Sequence, residues 1–189
     1  MISPAMRAVR AVPLAVLLLC SSGCLVCWGI LNPDGSGMLE ITYDPPKGAT
    51  QESLTADFSS AHVAVESLTL GTDRRAVVRV HFDDVTKLST APWFGPVSVS
   101  RTREGNDETV RIVLKHTPGN FPDPQADGPR ISLTVPGRII DANKDAEVTD
   151  DRVVWRYTMG EFNSEQEREL VVRYRASRPS PSERRAGLG

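Results

Sequence analysis

The sequence predicts an α+β fold that is dominated by antiparallel sheet. Between residues 38 and 176 most apolar side chains recur at every second position, which is the period of a half-buried strand. Glycine, asparagine and aspartate separate consecutive strands of this kind, as expected for hairpins. Only one stretch of this region has convincing helical spacing. Together these observations favour a sheet-rich domain with little helix.

The first predicted elements lie between residues 38 and 82. MLEITYD, Met38 to Asp44, alternates as a strand and is ended by two prolines. QESLTADFSSA has apolar residues at helical spacing and predicts the one helix. Two strands follow on either side of a Gly-Thr-Asp turn, the first from His62 to Leu70 and the second over residues 76–82.

A second group of strands follows a short helical turn around Val85 and Leu88. Val97 to Arg103 and Thr109 to His116 predict a hairpin over Gly-Asn-Asp. Three later strands are predicted, at Arg130 to Val135, Arg152 to Thr158 and Arg168 to Arg175. The order strand, helix, strand, strand, short helix, strand is that of the split βαβ unit of ferredoxin-like folds. We therefore expect such a unit, followed by further hairpin strands.

The N-terminus has the features of an export signal. Arg7 and Arg10 precede the apolar run Ala11 to Leu19, and no acidic residue comes before Asp34. The run is too short to span a bilayer, because a membrane helix needs about 20 apolar residues. The chain therefore divides into four predicted segments: a signal peptide at 1–23, a lipidated N-terminus and short tether at 24–37, a single domain at 38–176 and a disordered tail at 177–189.

Cys24 is the predicted site of lipid attachment. Ser22-Gly23-Cys24 resembles the end of the lipobox of bacterial lipoprotein signals, where a small residue precedes the cysteine that receives diacylglycerol. The other two cysteines follow a leucine and a valine, which are too bulky for that cleavage. Because the run from Ala11 to Leu31 carries no charge, an uncleaved segment that stays in the membrane as an anchor is the alternative.

Cys24 and Cys27 have the CxxC spacing that marks redox and zinc sites in other proteins. A closed zinc site needs four ligands, and the nearest histidine is His62. The pair also adjoins a signal sequence rather than the βαβ unit of a redox protein. We therefore expect no metal and no cofactor here, and we expect Cys27 to be a free thiol near the membrane surface.

Two stretches resemble the LppM-type lipoproteins. NPDGSGMLEITYD, residues 32–44, is similar to the turn and strand with which this domain opens, and TVPGRIIDANKDAEVTDDRVVW, residues 134–155, is similar to its PG motif, asparagine-containing loop and tryptophan. The resemblance covers residues 25–176. It implies an envelope lipoprotein of α+β fold without catalytic machinery, which binds a lipid, a glycolipid or a partner protein.

Charge and signal type set the expected location and partners. Without Arg7 and Arg10 the mature chain has 20 basic and 24 acidic residues, a net charge of −4, so it lacks the excess of positive charge that nucleic-acid binding needs.

Leu25 after the lipidated cysteine indicates sorting to an outer membrane, facing the periplasm or the cell surface. We expect a membrane-anchored, non-catalytic binding protein. The alternative is a structural component that assembles into an envelope protein complex.

TAPWFGP, residues 90–96, is the predicted contact site. Pro92 and Pro96 cannot donate to a strand ladder, and the glycine between them permits a tight turn, so the two aromatic residues lie in a loop. Trp93 and Phe94 either cap the end of the sheet or contact an apolar ligand or partner.

A weaker metal candidate lies in DANKDAEVTDDR. Asp141, Asn143 and Asp145 stand at the first, third and fifth positions of a calcium loop. The sixth position is Ala146 instead of glycine, and the twelfth is Arg152 instead of a bidentate glutamate. We therefore expect an exposed acidic turn, with a calcium site as the alternative.

The histidines give no catalytic motif. His62, His81 and His116 lie on separate predicted strands and are spaced too widely for a metal site. His81 and Asp83 share one face of a strand, which could bind a metal or hold a general base, but we assign them to a solvated strand end.

Overall fold

A computed structural model of the protein describes residues 25–73, 75–116, 123–143 and 146–176. The predicted signal peptide, the predicted lipidation site Cys24 and the predicted tail at 177–189 lie outside the described residues. Among the described residues, neither helix has the length and apolar character that a membrane-spanning helix requires.

The described residues form eleven strands: β1 Val26–Leu31, β2 Gly37–Tyr43, β3 Val63–Leu70, β4 Ala76–Phe82, β5 Val97–Glu104, β6 Asp107–Lys115, β7 Asp127–Thr134, β8 Gly137–Ala142, β9 Ala146–Val148, β10 Arg152–Thr158 and β11 Glu167–Ala176. The helical elements are α1 Gln51–Phe58, α2 Met159–Asn163 and two 3₁₀ turns at Val85–Thr90 and Pro92–Phe94. The fold is thus mostly antiparallel sheet with few helices.

The strands make two sheets. The larger has seven strands in the order β3-β4-β2-β1-β7-β10-β9, and the smaller has four in the order β5-β6-β11-β8. All neighbours pair antiparallel except β1 and β7, which are parallel. Alternate residues of both sheets face one shared core, as the period of two requires. The fully buried members include Ile41, Val78, Trp155 and Val172.

Helix α1 covers the part of the core beside β3. It begins with a capping box, in which the Thr50 hydroxyl accepts from the Ser53 backbone N–H and the Ser53 hydroxyl accepts from the Thr50 backbone N–H. Leu54 and Phe58 lie four residues apart, so they share one helix face, and both are buried. The helix therefore adds two large side chains to the core next to the second 3₁₀ turn.

The predicted tether at 24–37 is wrong. Its residues form β1 and the turn into β2, and β1 lies inside the larger sheet between β2 and β7. The sequence pattern does not reveal this strand, because apolar side chains occupy both of its faces and it continues the apolar run of the signal. The folded domain therefore includes residues 26–37 and does not begin at residue 38.

The expected ferredoxin-like unit is also wrong in its pairing. In that unit the fourth strand would lie in the same sheet as the first three, whereas β5 belongs to the smaller sheet. Its place beside β2 is taken by β1, which the sequence analysis did not identify. The hairpin of β3 and β4 and the hairpin of β5 and β6 are confirmed.

Three more elements, β8, β9 and α2, were missed. The PG motif does not close a hairpin within one sheet, because the chain passes there from β7 in the larger sheet to β8 in the smaller one. Gly137 starts β8 so close to β11 that a Cβ atom would clash with the Arg175 carbonyl oxygen. The motif therefore lies where the chain passes from the larger sheet to the smaller one.

Candidate ligand-binding cavity

A cavity of about 140 Å³ lies between the two sheets. The larger sheet contributes one wall, the smaller sheet the other, and the 3₁₀ turns close one side. Most of the wall is apolar, formed by Leu25, Cys27, Leu31, Leu39, Ile131 and Leu133 on one side and by Val97, Val99, Val110, Ile112, Leu114 and Leu170 on the other. Such a space suits a hydrocarbon group rather than a polar ligand.

The exposure of the lining residues shows that the cavity is accessible from one end. Leu31 is 2 % exposed, whereas Leu25 and Cys27, earlier on the same run, are partly exposed. Val110 is 1 % exposed, whereas Leu114 on the same face of β6 is partly exposed. We call the end with Leu25 and Leu114 the open end and the end with Leu31 and Val110 the sealed end.

Hydrogen bonds around α2 bring the two halves of the open end together. The Leu25 carbonyl accepts from Arg130 on β7, whose first residues adjoin Ala126. Ala126 accepts in turn from Met159, the first residue of α2. Helix α2 then leads into β11, which starts opposite the last residue of β6. The start of β1 and the end of β6 are therefore at the same end of the sandwich.

Cys27 is a free thiol in the wall of the cavity, and its expected position near a membrane surface stays a prediction. It pairs with Ile41 on one side and Ile131 on the other, and its side chain faces the space between the sheets. Burial among apolar side chains raises the pKa of the Cys27 thiol to about 12. The thiol is therefore neutral and unreactive at physiological pH.

The two predicted contact residues, Trp93 and Phe94, both line the cavity. They belong to a 3₁₀ turn rather than to an extended loop, and Phe94 is buried while Trp93 is partly exposed. Trp93 stacks on Phe58 of α1 with ring centroids 4.6 Å apart, and it contacts Phe94 edge-on at 5.0 Å. The aromatic cluster therefore connects the cavity wall to the helix.

His116 follows the last residue of β6 and lines the open end. Its ring stacks on Phe162 of α2, with centroids 4.6 Å apart and planes inclined by 20°. Both ring nitrogens are buried, and neither makes a hydrogen bond of ordinary geometry to the described residues. Burial lowers the pKa of His116, and the positive charge of Arg168 acts in the same direction, whereas a weaker polar contact with the Phe162 backbone opposes both.

Polar contacts close the sealed end. Arg101 of β5 forms an ion pair with Glu108 of β6, whose side chain is 5 % exposed. The same guanidinium donates to the Pro33 carbonyl at 2.6 Å, in the turn between β1 and β2. In that turn Gly35 has a φ of +93°, which glycine adopts without strain. The two sheets are thus joined where the turn meets β5.

The calcium candidate lies only partly within the described residues. Asp141 is on β8, and Asp145 lies outside the described residues. The Asn143 side-chain oxygen accepts from the Trp155 indole N–H and from the Val171 backbone N–H, both at 2.9 Å. Because that oxygen is already shared by two donors from the two sheets, Asn143 is a structural tie between them.

The histidine and acidic side chains on β3 and β4 form separate pairs. His81 Nε2 lies 3.0 Å from Glu66, and His62 Nδ1 lies 3.1 Å from Asp83. His81 and Asp83 thus have different partners. Within the described part of the chain, histidine, cysteine and acidic residues form no group of three that fits a metal ion.

Sequence reasoning identified one side of the cavity and missed the other. Trp93 and Phe94 were found because two large aromatics stand between prolines. Cys27, Leu25 and His116 were not assigned to a site, because their neighbours come from strands distant in the sequence. No alternation of apolar and polar residues marks Leu25 and Cys27, because Val26, Trp28 and Ile30 on the other face of β1 are apolar as well.

Comparison with known proteins identifies the family. The family model of the LppM domain matches residues 36–168, which is more than half of the 189-residue chain. No curated protein and no solved structure shows significant similarity to it. The matched region spans both sheets, from β2 to the first residues of β11. The chain therefore belongs to the LppM domain family, a family of lipoproteins.

Proposed function

We propose that the protein is a membrane-anchored lipoprotein of the bacterial cell envelope that holds one acyl chain of a lipid or glycolipid between its sheets. The observation that carries the proposal is the apolar cavity, accessible from the open end. The domain binds its ligand without transforming it. Acylation of Cys24 supplies the anchor, and Leu25 after it favours the outer membrane.

The volume of the cavity sets the size of the ligand group. Apolar cavities of about 150 Å³ in other proteins hold benzene, so about six carbon atoms fit into 140 Å³. At about 0.8 kcal/mol for each buried methylene, six carbons contribute about 5 kcal/mol, which corresponds to dissociation constants near the millimolar range. The cavity therefore suits the end of one chain, and further carbons would contact Trp93 and Leu25 on the way out.

The position of Leu25 supports delivery of that chain from the membrane. Leu25 lines the open end and directly follows Cys24 in the sequence. Acyl chains on Cys24 would hold this residue next to the bilayer, since several chains give stable attachment. The open end then lies beside the membrane, and a chain can pass between bilayer and cavity with little exposure to water.

A matched pair of variants on β1 tests ligand binding. Cys27 faces the cavity and Val26 is exposed on the opposite face, so Cys27→Phe fills the cavity and Val26→Phe does not. The protein is purified from membranes after cross-linking, and bound lipid is quantified by mass spectrometry. We expect acyl-chain ligand with the wild type and with Val26→Phe, and none with folded Cys27→Phe.

Two results would contradict the proposal. Equal lipid in Cys27→Phe and Val26→Phe would mean that the cavity is not the binding site. A stoichiometric protein partner without lipid would favour the assembly role.

The anchor is tested separately. Cys24→Ala is expected to abolish labelling by fatty acid and to release the protein from the membrane fraction, whereas Cys27→Ala should do neither. Retention of Cys24→Ala in the membrane at unchanged precursor length would show an uncleaved anchor instead.

A further inference from the structure

His116 has unused hydrogen-bonding capacity at the open end of the cavity. A neutral imidazole has one N–H donor and one acceptor nitrogen, and a buried polar group without a partner costs about 1–3 kcal/mol. Among the described residues, both ring nitrogens of His116 are in this state. The ring is held by its stack on Phe162 and lines the same space as Leu114 and Leu25. A polar group in the cavity that pairs with one of the nitrogens would remove part of this cost.

Positive charge surrounds the ring, and the nearby acidic groups are already paired. Lys115 lines the cavity, and the charge of Arg168 acts on His116. The acidic side chains near these cations are exposed and paired: Glu167 lies 3.3 Å from Lys115, and Glu165 lies 3.3 Å from Arg168. Each cation is thus offset by one exposed carboxylate, and Lys115 is a cation in the lining of the cavity that can attract an anionic partner of the imidazole.

We propose that the open end binds the carboxylate of a single-chain fatty acid, with His116 donating a hydrogen bond to the carboxylate while the chain fills the apolar cavity. The inference rests on the proposed function, because it names the head group of the same ligand. Lys115 adds electrostatic attraction at the rim.

The geometry selects this ligand class over a diacyl phospholipid. The cavity has room for the end of one chain and not for two. The ring nitrogens of His116 are buried, so the head group that meets them must itself lie inside the open end. A carboxylate is small enough for this position, and a hydrogen bond to a charged group contributes more than one between neutral groups.

The test compares two ligands and three variants of the full chain reconstituted in nanodiscs, with empty nanodiscs as the blank. Octanoate and 1-octanol, each ¹³C-labelled at the first carbon, are titrated and the protein-bound signal is followed by NMR. His116→Phe keeps an aromatic ring against Phe162 without the nitrogens. His116→Gln keeps an N–H donor. His62→Phe is the matched control, because His62 pairs with Asp83 away from the cavity.

We expect the wild type and His62→Phe to bind octanoate about tenfold more tightly than 1-octanol. His116→Phe should lose this preference while still binding 1-octanol, and His116→Gln should keep part of it. An equal preference in the wild type and His116→Phe overturns the head-group site and leaves chain binding intact. Absence of bound signal for both ligands in the wild type overturns the proposed function itself.

Discussion

The sealed and open ends of the cavity lie on the same strands but are closed by different chemistry. At the sealed end a buried ion pair joins β5 to β6, and the Arg101 side chain donates a hydrogen bond to a backbone carbonyl of the turn after β1. At the open end lie Leu25 and Leu114, which are partly exposed, and His116, which has no hydrogen-bond partner among the described residues. The difference indicates that the stabilising contacts are concentrated at the sealed end, so the open end is free to admit a ligand.

The largest expected effect comes from breaking the ion pair at the sealed end. Glu108→Ala leaves Arg101 largely buried without its partner, so we expect a loss of about 4 kcal/mol in the free energy of unfolding, measured by urea titration. Glu169→Ala breaks an exposed pair with Arg111 and should cost less than about 1 kcal/mol. Equal losses in the two variants would mean that the ion pair at the sealed end contributes no more to stability than an exposed ion pair does.

Leu25, just before β1, and Leu31, its last residue, give the sharpest comparison. Leu31→Ala removes a fully packed side chain and should cost about 3 kcal/mol, whereas Leu25→Ala removes a partly exposed one and should cost about 1 kcal/mol. Both free energies come from the same denaturant titration. A larger loss for Leu25→Ala would show that the open end is packed as tightly as the sealed end.

The contribution of Asn143 to the free energy of unfolding should be independent of both ends of the cavity. Asn143→Ala leaves the Trp155 indole N–H and the Val171 backbone N–H without their acceptor, so we expect a loss of about 2 kcal/mol. Asn106→Ala, in the exposed turn between β5 and β6, is the control and should change stability by less than about 0.5 kcal/mol. A loss below that value for Asn143→Ala would argue against the tie.

The smallest expected effect concerns the pH dependence contributed by Cys27. The thiol titrates near pH 9 when exposed and near pH 12 in the cavity wall, so the folded state keeps a proton that the unfolded state releases. Its contribution to stability is therefore fully present below pH 9 and is lost as the pH rises towards 12. We expect a loss of about 1 kcal/mol at pH 10 for the wild type relative to Cys27→Ala.

Denaturant titrations of the two proteins at pH 8, 9 and 10 measure this difference. Parallel curves would place the Cys27 thiol in water and would remove it from the cavity wall.

The strands that alternate cleanly were predictable. Ala76, Val78, Val80 and Phe82 recur at every second position, and all four are buried on β4. The helix that contains Leu54 and Phe58 was also predictable, because these residues recur at helical spacing and both are buried on one helix face. In each case the pattern of one segment depends only on which of its faces meets the core.

Strand β1 and the cavity could not be predicted in this way. Trp28 and Ile30 are apolar on the outer face of β1, so the strand shows no alternation and merges with the signal. The cavity depends on which strands become neighbours, and β1 lies between β2 and the distant β7. His116 was predicted on a strand, but its role follows from Phe162, which is 46 positions later. Such partners are set by topology rather than by local pattern.

The central claim is that an acyl chain enters between the sheets from the open end. A crystal structure of the protein with 8-bromooctanoate tests it most directly, because the anomalous signal of bromine marks the end of the chain. We predict a single bromine site among Cys27, Leu39 and Leu133, with the carboxylate beside His116. A bromine site on the outer face of β1 near Trp28, or an empty cavity at saturating ligand, would contradict the account.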